Sequence, residues 1–562
     1  MCFALAYWPI VPRGTFMKTI KGNILDIYSR EIFFGEVSFD DTIVAICKID
    51  SKIRDDFNYI VPGLIDSHVH IESSMLVPSR FSQIIKRYGT VAIVYDPHEI
   101  ANVLGSDGVD FMVSDAERSE VKMFLAIPSC VPASDFETNG AKFSTSEISK
   151  FSGQAVALAE MMNYPGVVND DPTVLSKLEI AKKNYLPIDG HAPMLLGEQL
   201  LKYVSTGIST DHEASTFAEA EEKIKAGMKI IIREGSAARN FDALSSLFFS
   251  NPDDIMVCTD DAHPDDIISR GHINRFVHLA LSLGVSIFDI YKACLLNPIS
   301  HYNLNVGALK VGDAADFLII DNIESFNVLS TFISGVEVYN SSKDDLSCKS
   351  STLLPINNFI SRSFLPSDFA IKSTRSFARV ITVSDGELLT GMLNWQHGFA
   401  LGSNVSASVV DDIAKISVIN RYENSPIALG FTKGFGIKSG AMASSIAHDS
   451  HNVVVVGVDD ESIAIAANTI FSIKGGLVVV NESRVETLSL PIAGLMADED
   501  FRVVSDKYLS LISFAKSSCG VSLNSPFMTM AFMSLLVIPS LKLSDKGLFD
   551  VDKFQFTSLF FD

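Results

Sequence analysis

Two imidazoles separated by one residue open the chemistry of this chain. In His68-Val69-His70 side chains alternate with period two along an extended segment, so both rings face one side and can grip one cation. Such a pair is common by chance, and its company decides what it means. Nine of the 12 His fall between positions 68 and 301, and none precedes His68. Further polar groups follow short apolar runs: Asp96 and His98 after Val91–Tyr95, Glu160 after Gln154–Ala159 and His191 after Leu186–Asp189. Asp211 and His212 follow Gly207–Thr210, Arg233 and Glu234 close Lys229–Arg233, and Asp260 and Asp261 follow Ile255–Thr259. Glu160 can bridge two ions as a carboxylate, His191 and His212 can complete the shell of the second, and Asp260 can reach water held between them. A set of nitrogen and oxygen donors accepts divalent Zn, Mn or Fe with little discrimination.

Elements must bring these groups to one place. With Ile60–Ile65 and Lys122–Ile127 the apolar runs make eight candidate strands, spaced for βα units over about 240 residues, the arithmetic of an α/β fold of the (β/α)8 TIM-barrel type. The site then lies on the rim where strands end. Residues 17–60 and 303–340 alternate apolar and polar residues in short pieces, as in Ile24-Leu25-Asp26-Ile27-Tyr28 and Phe317–Ile320, which predicts a small β-sandwich split by the barrel at 61–302. Beyond a Ser-rich connection near 340–352, residues 350–562 read as an α+β domain, with strands at Val453–Val458 and Leu477–Val480 and a helix over Ser462–Ile470. Met1–Phe16, interrupted by Pro9 and Pro12, reads as an N-terminal extension without the basic leader and long apolar core of a signal peptide. Met17 is the expected functional start.

Composition narrows the partners. Forty-five Lys and Arg against 67 Asp and Glu leave a formal net charge of −22 across 562 residues, which repels phosphate backbones and anionic membranes. Seven Cys without a C-x-x-C pair argue against a disulfide framework and a zinc ribbon, and suit a cytoplasmic setting. No run of eighteen apolar residues suggests a membrane span. Nucleic acid and membrane are therefore not expected partners; a small-molecule substrate and a homo-oligomer are.

The run Val61-Pro62-Gly63-Leu64-Ile65-Asp66-Ser67-His68-Val69-His70 and the segment Gly307–Asp316 resemble the opening and closing motifs of the amidohydrolase superfamily. Within it His70-Ile71-Glu72-Ser73-Ser74-Met75, Asp96-Pro97-His98-Glu99-Ile100-Ala101-Asn102, Asp189-Gly190-His191-Ala192-Pro193 and Thr259-Asp260-Asp261-Ala262-His263-Pro264 resemble the adenine deaminase family. So does Ala447-His448-Asp449-Ser450-His451-Asn452 in the last domain. The resemblance spans nearly all of 18–562. It implies a binuclear divalent-metal site with His68, His70, Glu160, His191, His212 and Asp260 as ligands, Glu160 standing where many superfamily members carry a carboxylated lysine. It also implies hydrolysis of adenine to hypoxanthine and ammonia in purine salvage.

Asp260 is the expected catalytic carboxylate, with adjacent Asp261 as the alternative. Glu72, two residues beyond His70 and so on its face if the chain stays extended, is a candidate proton donor to a ring nitrogen, against a solvated loop carboxylate. His98 and Glu99 support the metals or shape a loop; Arg233 and Glu234 hold substrate or form a structural ion pair; His448, Asp449 and His451 lean over the barrel mouth or cap an interdomain contact. His263, His272, His278, His301 and His397 are expected to be structural. A rival reading keeps the barrel but opens a cyclic amide or another amino-heterocycle; a cation after His70 would suit a carboxylate substrate, whereas Glu72 suits a base with N–H donors. A second rival, an inactive barrel used as a scaffold, predicts lost ligands, and none is lost.

Overall fold

The structure, a computed structural model, describes residues 17–236, 238–343, 354–385, 387–482 and 484–562. The expected extension at 1–16 and most of the Ser-rich connection lie outside the described residues.

Eight parallel strands form the barrel: Leu64–Val69 (β1), Thr90–Tyr95 (β2), Lys122–Ile127 (β3), Ala157–Met161 (β4), Ile188–Gly190 (β5), Thr210–Asp211 (β6), Lys229–Arg233 (β7) and Ile255–Cys258 (β8). Strands β1 to β5 and β6 to β8 pair in sequence order, and single parallel bridges, Ile188 to Ile208 and Val69 to Asp260, close the ring. These strands are buried on both faces, hence their continuous Val/Ile/Leu runs. Several begin later than the sequence spacing predicts, because interstrand pairing rather than the first apolar residue sets the register. His68 and Glu160 therefore sit inside β1 and β4 instead of after them.

The expected strand Ile60–Ile65 is two strands. Tyr59–Pro62 pairs with Lys18–Asp26 and Phe317–Ile320 in the small β unit, and the chain enters the barrel only at Leu64. Gly63 makes the crossing, where a Cβ would stand 2.4 Å from the Val91 side chain. Strands from the two ends of the barrel segment, 18–62 and 317–340, hydrogen-bond into one seven-stranded sheet. It buries its own cluster of Ile24, Phe33, Val37, Phe39, Phe317 and Phe332.

In the C-terminal part a nine-stranded sheet carries Val453–Gly457 and Gly476–Asn481 among its central strands. Helix Asp460–Ser472, capped by the Asp459 carboxylate accepting the Ser462 N–H at 2.7 Å, covers one face. Helix Phe501–Cys519 packs between this sheet and the barrel helices Pro78–Ile85 and Pro264–Arg270. The apolar core runs without a break from barrel to C-terminal sheet, and Arg80 Nε donates to Asp498 Oδ1 at 2.6 Å across the seam. The last domain is thus fastened over the barrel mouth.

Candidate active site

Four strand ends deliver the principal donors. His68 leaves β1, Glu160 projects from β4, and His191 and His212 follow β5 and β6. Asp260 stands just past β8, where its N–H donates to the His68 carbonyl at 3.0 Å and its carbonyl accepts the His70 N–H at 3.3 Å. Its backbone takes the left-handed conformation, φ 55°, one that aspartate tolerates better than most residues. This turns the carboxylate inward.

The side chains converge tightly. His70 Nε2 lies 3.0 Å from Asp260 Oδ1 and 3.2 Å from Glu160 Oε1, and His68 Nε2 lies 3.5 and 3.7 Å from the same two oxygens. The other oxygen of Glu160 faces His191 Nδ1 at 2.6 Å and His212 Nε2 at 3.2 Å. His68 and His70 set their Nε2 atoms 3.1 Å apart. Several buried imidazoles around shared carboxylates, two of them nitrogen to nitrogen, form a donor set that a divalent cation satisfies better than hydrogen bonds among the ligands. Groups of donor atoms within 4.8 Å of one another, His68-His70-Asp260, His68-Glu160-His212 and His191-His212-Glu213 among them, could hold a divalent ion. Asp96 supports this floor: its carbonyl lies 3.1 Å from His70 Nδ1, fixing that ring, and its carboxylate lies 2.9 Å from His98 Nδ1.

Arg233 organises the next layer. One guanidinium nitrogen bonds both Glu213 and Asp260, the latter at 2.6 Å, while its Nε donates to the Ala238 carbonyl at 2.7 Å. Burial alone would raise both carboxyls. The guanidinium instead holds Asp260 well below the usual carboxylate range, assisted by His68 and His70, and Glu213 at about 2, assisted by His191 and His212. Glu213 lines the cavity and was not singled out from sequence, although its place directly after His212 was a usable signal.

The far wall comes from the C-terminal domain. Glu99 Oε1 faces His448 Nδ1 and Glu99 Oε2 faces His451 Nε2, each at 2.5 Å, across roughly 350 residues of chain. Burial would lower His448, but Glu99 pushes it up to about 10. Asp449 is raised to about 6 by burial and by Glu99, and its Oδ2 has no hydrogen-bond partner among the described residues. His448, Asp449 and Glu99 line a cavity partly open to solvent, with Leu388, Phe532, Leu535, Val537 and Ile538 completing the wall, while His451 lies outside the lining.

Not every expected residue reaches it. Glu72 does not line the cavity: the chain leaves the extended conformation after His70 and enters a 3-10 turn, Ile71–Ser74. The turned carboxylate accepts the Ile100 N–H at 3.1 Å, and burial raises it to about 7. It props the helix His98–Leu104 from beneath. Glu234 also turns away, to Arg275 at 2.5 Å, leaving Arg233 as the inward member of that pair. Asp261 lines the cavity while accepting the Ser73 hydroxyl. Asp211 faces outward to Lys223 Nζ at 2.8 Å. His263, His272, His278, His301 and His397 all lie outside the lining.

An eight-stranded parallel barrel with this donor set defines a metal-dependent hydrolase of the amidohydrolase class, and residues 59–338 match the amidohydrolase family model. Residues 389–555 match the adenine deaminase C-terminal domain. Full-length relatives agree: "Adenine deaminase" of Methanosarcina acetivorans is 47% identical over 97% of this chain and 100% of its own. Those of Borreliella afzelii and Sulfurovum sp. are 43% and 44% identical, each over 96% of this chain and 98% of theirs. The chain belongs to the adenine deaminase family. No described helix is long and apolar enough to cross a membrane.

Proposed function

We propose that the chain hydrolyses adenine to hypoxanthine and ammonia, a purine-salvage reaction. The activity is that for which its relatives are named. One observation carries the reading: His68, His70, Glu160, His191, His212 and Asp260 come together, and all but His68 line a cavity whose far wall is supplied by the adenine deaminase-type domain. The six would hold a pair of Mn, Fe or Zn ions. Divalent ions held there would lower the pKa of water towards about 7 and so supply a nucleophile at neutral pH.

The protein's own groups perform the rest. Asp260, kept ionised by Arg233, accepts a proton as the oxygen of water bonds to C6, and returns it to the amine as the C6–N6 bond breaks. The ring nitrogen that gains charge during addition needs a donor, and because Glu72 is outside the cavity the role passes to the wall. His448, held protonated by Glu99, can give that proton and recover it when the ring is restored. Asp449 and Glu99 offer acceptors to the N–H edge of the base.

The test is to incubate metal-analysed protein with a panel of free bases, nucleosides and cyclic amides while following ammonia and hypoxanthine. Release of both from adenine is expected. Turnover confined to another heterocycle or a cyclic amide would overturn the assignment.

A further inference from the structure

The cavity has a polar floor and an apolar roof of separate origin. Met528, Phe532 and Leu535 form a cluster apart from the main core, with Ala238, Leu388 and Ile538 packed against it. Four of these, Phe532, Leu535, Leu388 and Ile538, line the cavity from the C-terminal domain, while Ala238 reaches it from the loop after β7. The Phe532 ring lies nearly parallel to His448, with centroids 5.6 Å apart and 21° between planes.

A lysine holds this roof. Lys542, on strand Leu541–Ser544, is fully buried, and its Nζ donates to the Phe532 carbonyl at 2.8 Å and the Leu388 carbonyl at 3.1 Å. No carboxylate pairs with it among the described residues. A buried ammonium stem without an ion pair is costly, yet the position tethers two segments nearly 150 residues apart, both at their cavity-lining residues.

Purine geometry determines what the roof meets. On the proposed reaction C6 must lie beside Asp260, and N9 is at the opposite end of the bicyclic ring; Phe532, Leu535, Leu388 and Ile538 line the same cavity as Asp260 and are the apolar surface on offer to that end. We propose that Phe532, tethered by Lys542, is a specificity-determining residue that closes the space beyond N9 and so restricts the site to purines without a substituent there. Phe532 acts by direct contact with the base; Lys542 is a positioning residue acting through the roof. The proposal rests on the reading of the site as an adenine site and adds the residues that separate a free base from a nucleoside.

The experiment compares kcat/KM for 9-methyladenine and adenosine with that for adenine in Phe532→Ala and Lys542→Met. In Phe532→Ala the ratio of 9-methyladenine to adenine should rise at least about tenfold, the scale on which apolar pockets discriminate small groups. Lys542→Met should raise KM for adenine more than it lowers kcat and shift the ratio the same way, and Lys542→Arg, which still donates to carbonyls, should recover part of both. Phe532→Leu carries the same expectation in milder form should the alanine variant fail to fold. An unchanged ratio in folded Phe532 variants that still turn over adenine would overturn the proposal. Calorimetric binding of hypoxanthine and 9-methylhypoxanthine separates it from the reaction: failure of wild-type protein to deaminate adenine refutes the reaction, whereas equal binding of the two ligands refutes the roof.

Discussion

Arg233 and Asp260 share a buried hydrogen bond of 2.6 Å, and the same guanidinium nitrogen also bonds Glu213. One cation therefore serves two carboxylates at the edge of the metal floor, and the Asp260 oxygen it leaves free, Oδ1, is the one that faces His68 and His70. Replacement of Arg233 by Met should cost about 3–5 kcal/mol of stability, because two buried carboxylates lose their counter-ion, and should impair turnover. Thermal melts with and without added metal check it; a variant with unaltered melting and turnover would show the bridge to be dispensable.

Asp260→Asn should retain the fold and lower kcat by about 10²–10⁴-fold, the range for loss of a positioned acid or base. An amide cannot accept the proton from water. Asp261→Asn is the control and should be milder, since Asp261 engages Ser73. Steady-state rates on the pair decide the matter, and reversal of the order would move the catalytic role by one residue.

Removal of metal should abolish turnover, and return of a divalent ion should restore it. The melting temperature should fall as well, since metal bound only by the folded state stabilises it by mass action, and without it the buried imidazoles face one another and two carboxylates. Metal analysis beside the assay should give about two ions per chain; activity in a verified metal-free sample would sink the binuclear reading.

Glu99→Gln should destabilise the seam between barrel and C-terminal domain. Both oxygens of Glu99 serve buried imidazoles, so the amide leaves at least one interaction poorly matched, at about 1–3 kcal/mol. Proteolysis or hydrogen exchange at 447–452 should increase first. Unchanged protection there would remove Glu99 from this role.

Lys542 links stability to pH. Burial lowers it from 10.5 to about 7, so between those values the unfolded chain holds one more proton than the folded one. Stability should rise with pH across that window, by at most about 1.4 kcal/mol per unit from this group, and the contribution should be lost as pH falls to about 7. The neutral amine still has two N–H donors for its two carbonyls. Denaturation curves of wild type and Lys542→Met at pH 7 and 9 compare the slopes, which should differ in that direction.

The chemistry-bearing residues of the floor were legible because their arrangement follows local rules. Period-two alternation sets His68 and His70 side by side, and a parallel barrel brings residues at the ends of successive strands to one rim; spacing thus gathered Glu160, His191, His212 and Asp260 together with Asp211 and Glu234, which turn away, and the family resemblance singled out the ligand set. The same rule misplaced Glu72, since alternation holds only while the chain is extended and a 3-10 turn begins at Ile71. Likewise Ile60–Ile65 reads as one apolar run, yet two different sheets compete for its backbone hydrogen bonds and divide it at Gly63. Glu213 beside Arg233, Glu99 between His448 and His451, and Lys542 beneath Phe532 were decided only by tertiary structure. These contacts join positions from 20 to 352 residues apart, except for the short Lys542 link to Phe532. Their partners are selected by packing of one domain on another and by the need to satisfy buried charge, and neither leaves a periodic trace along the chain.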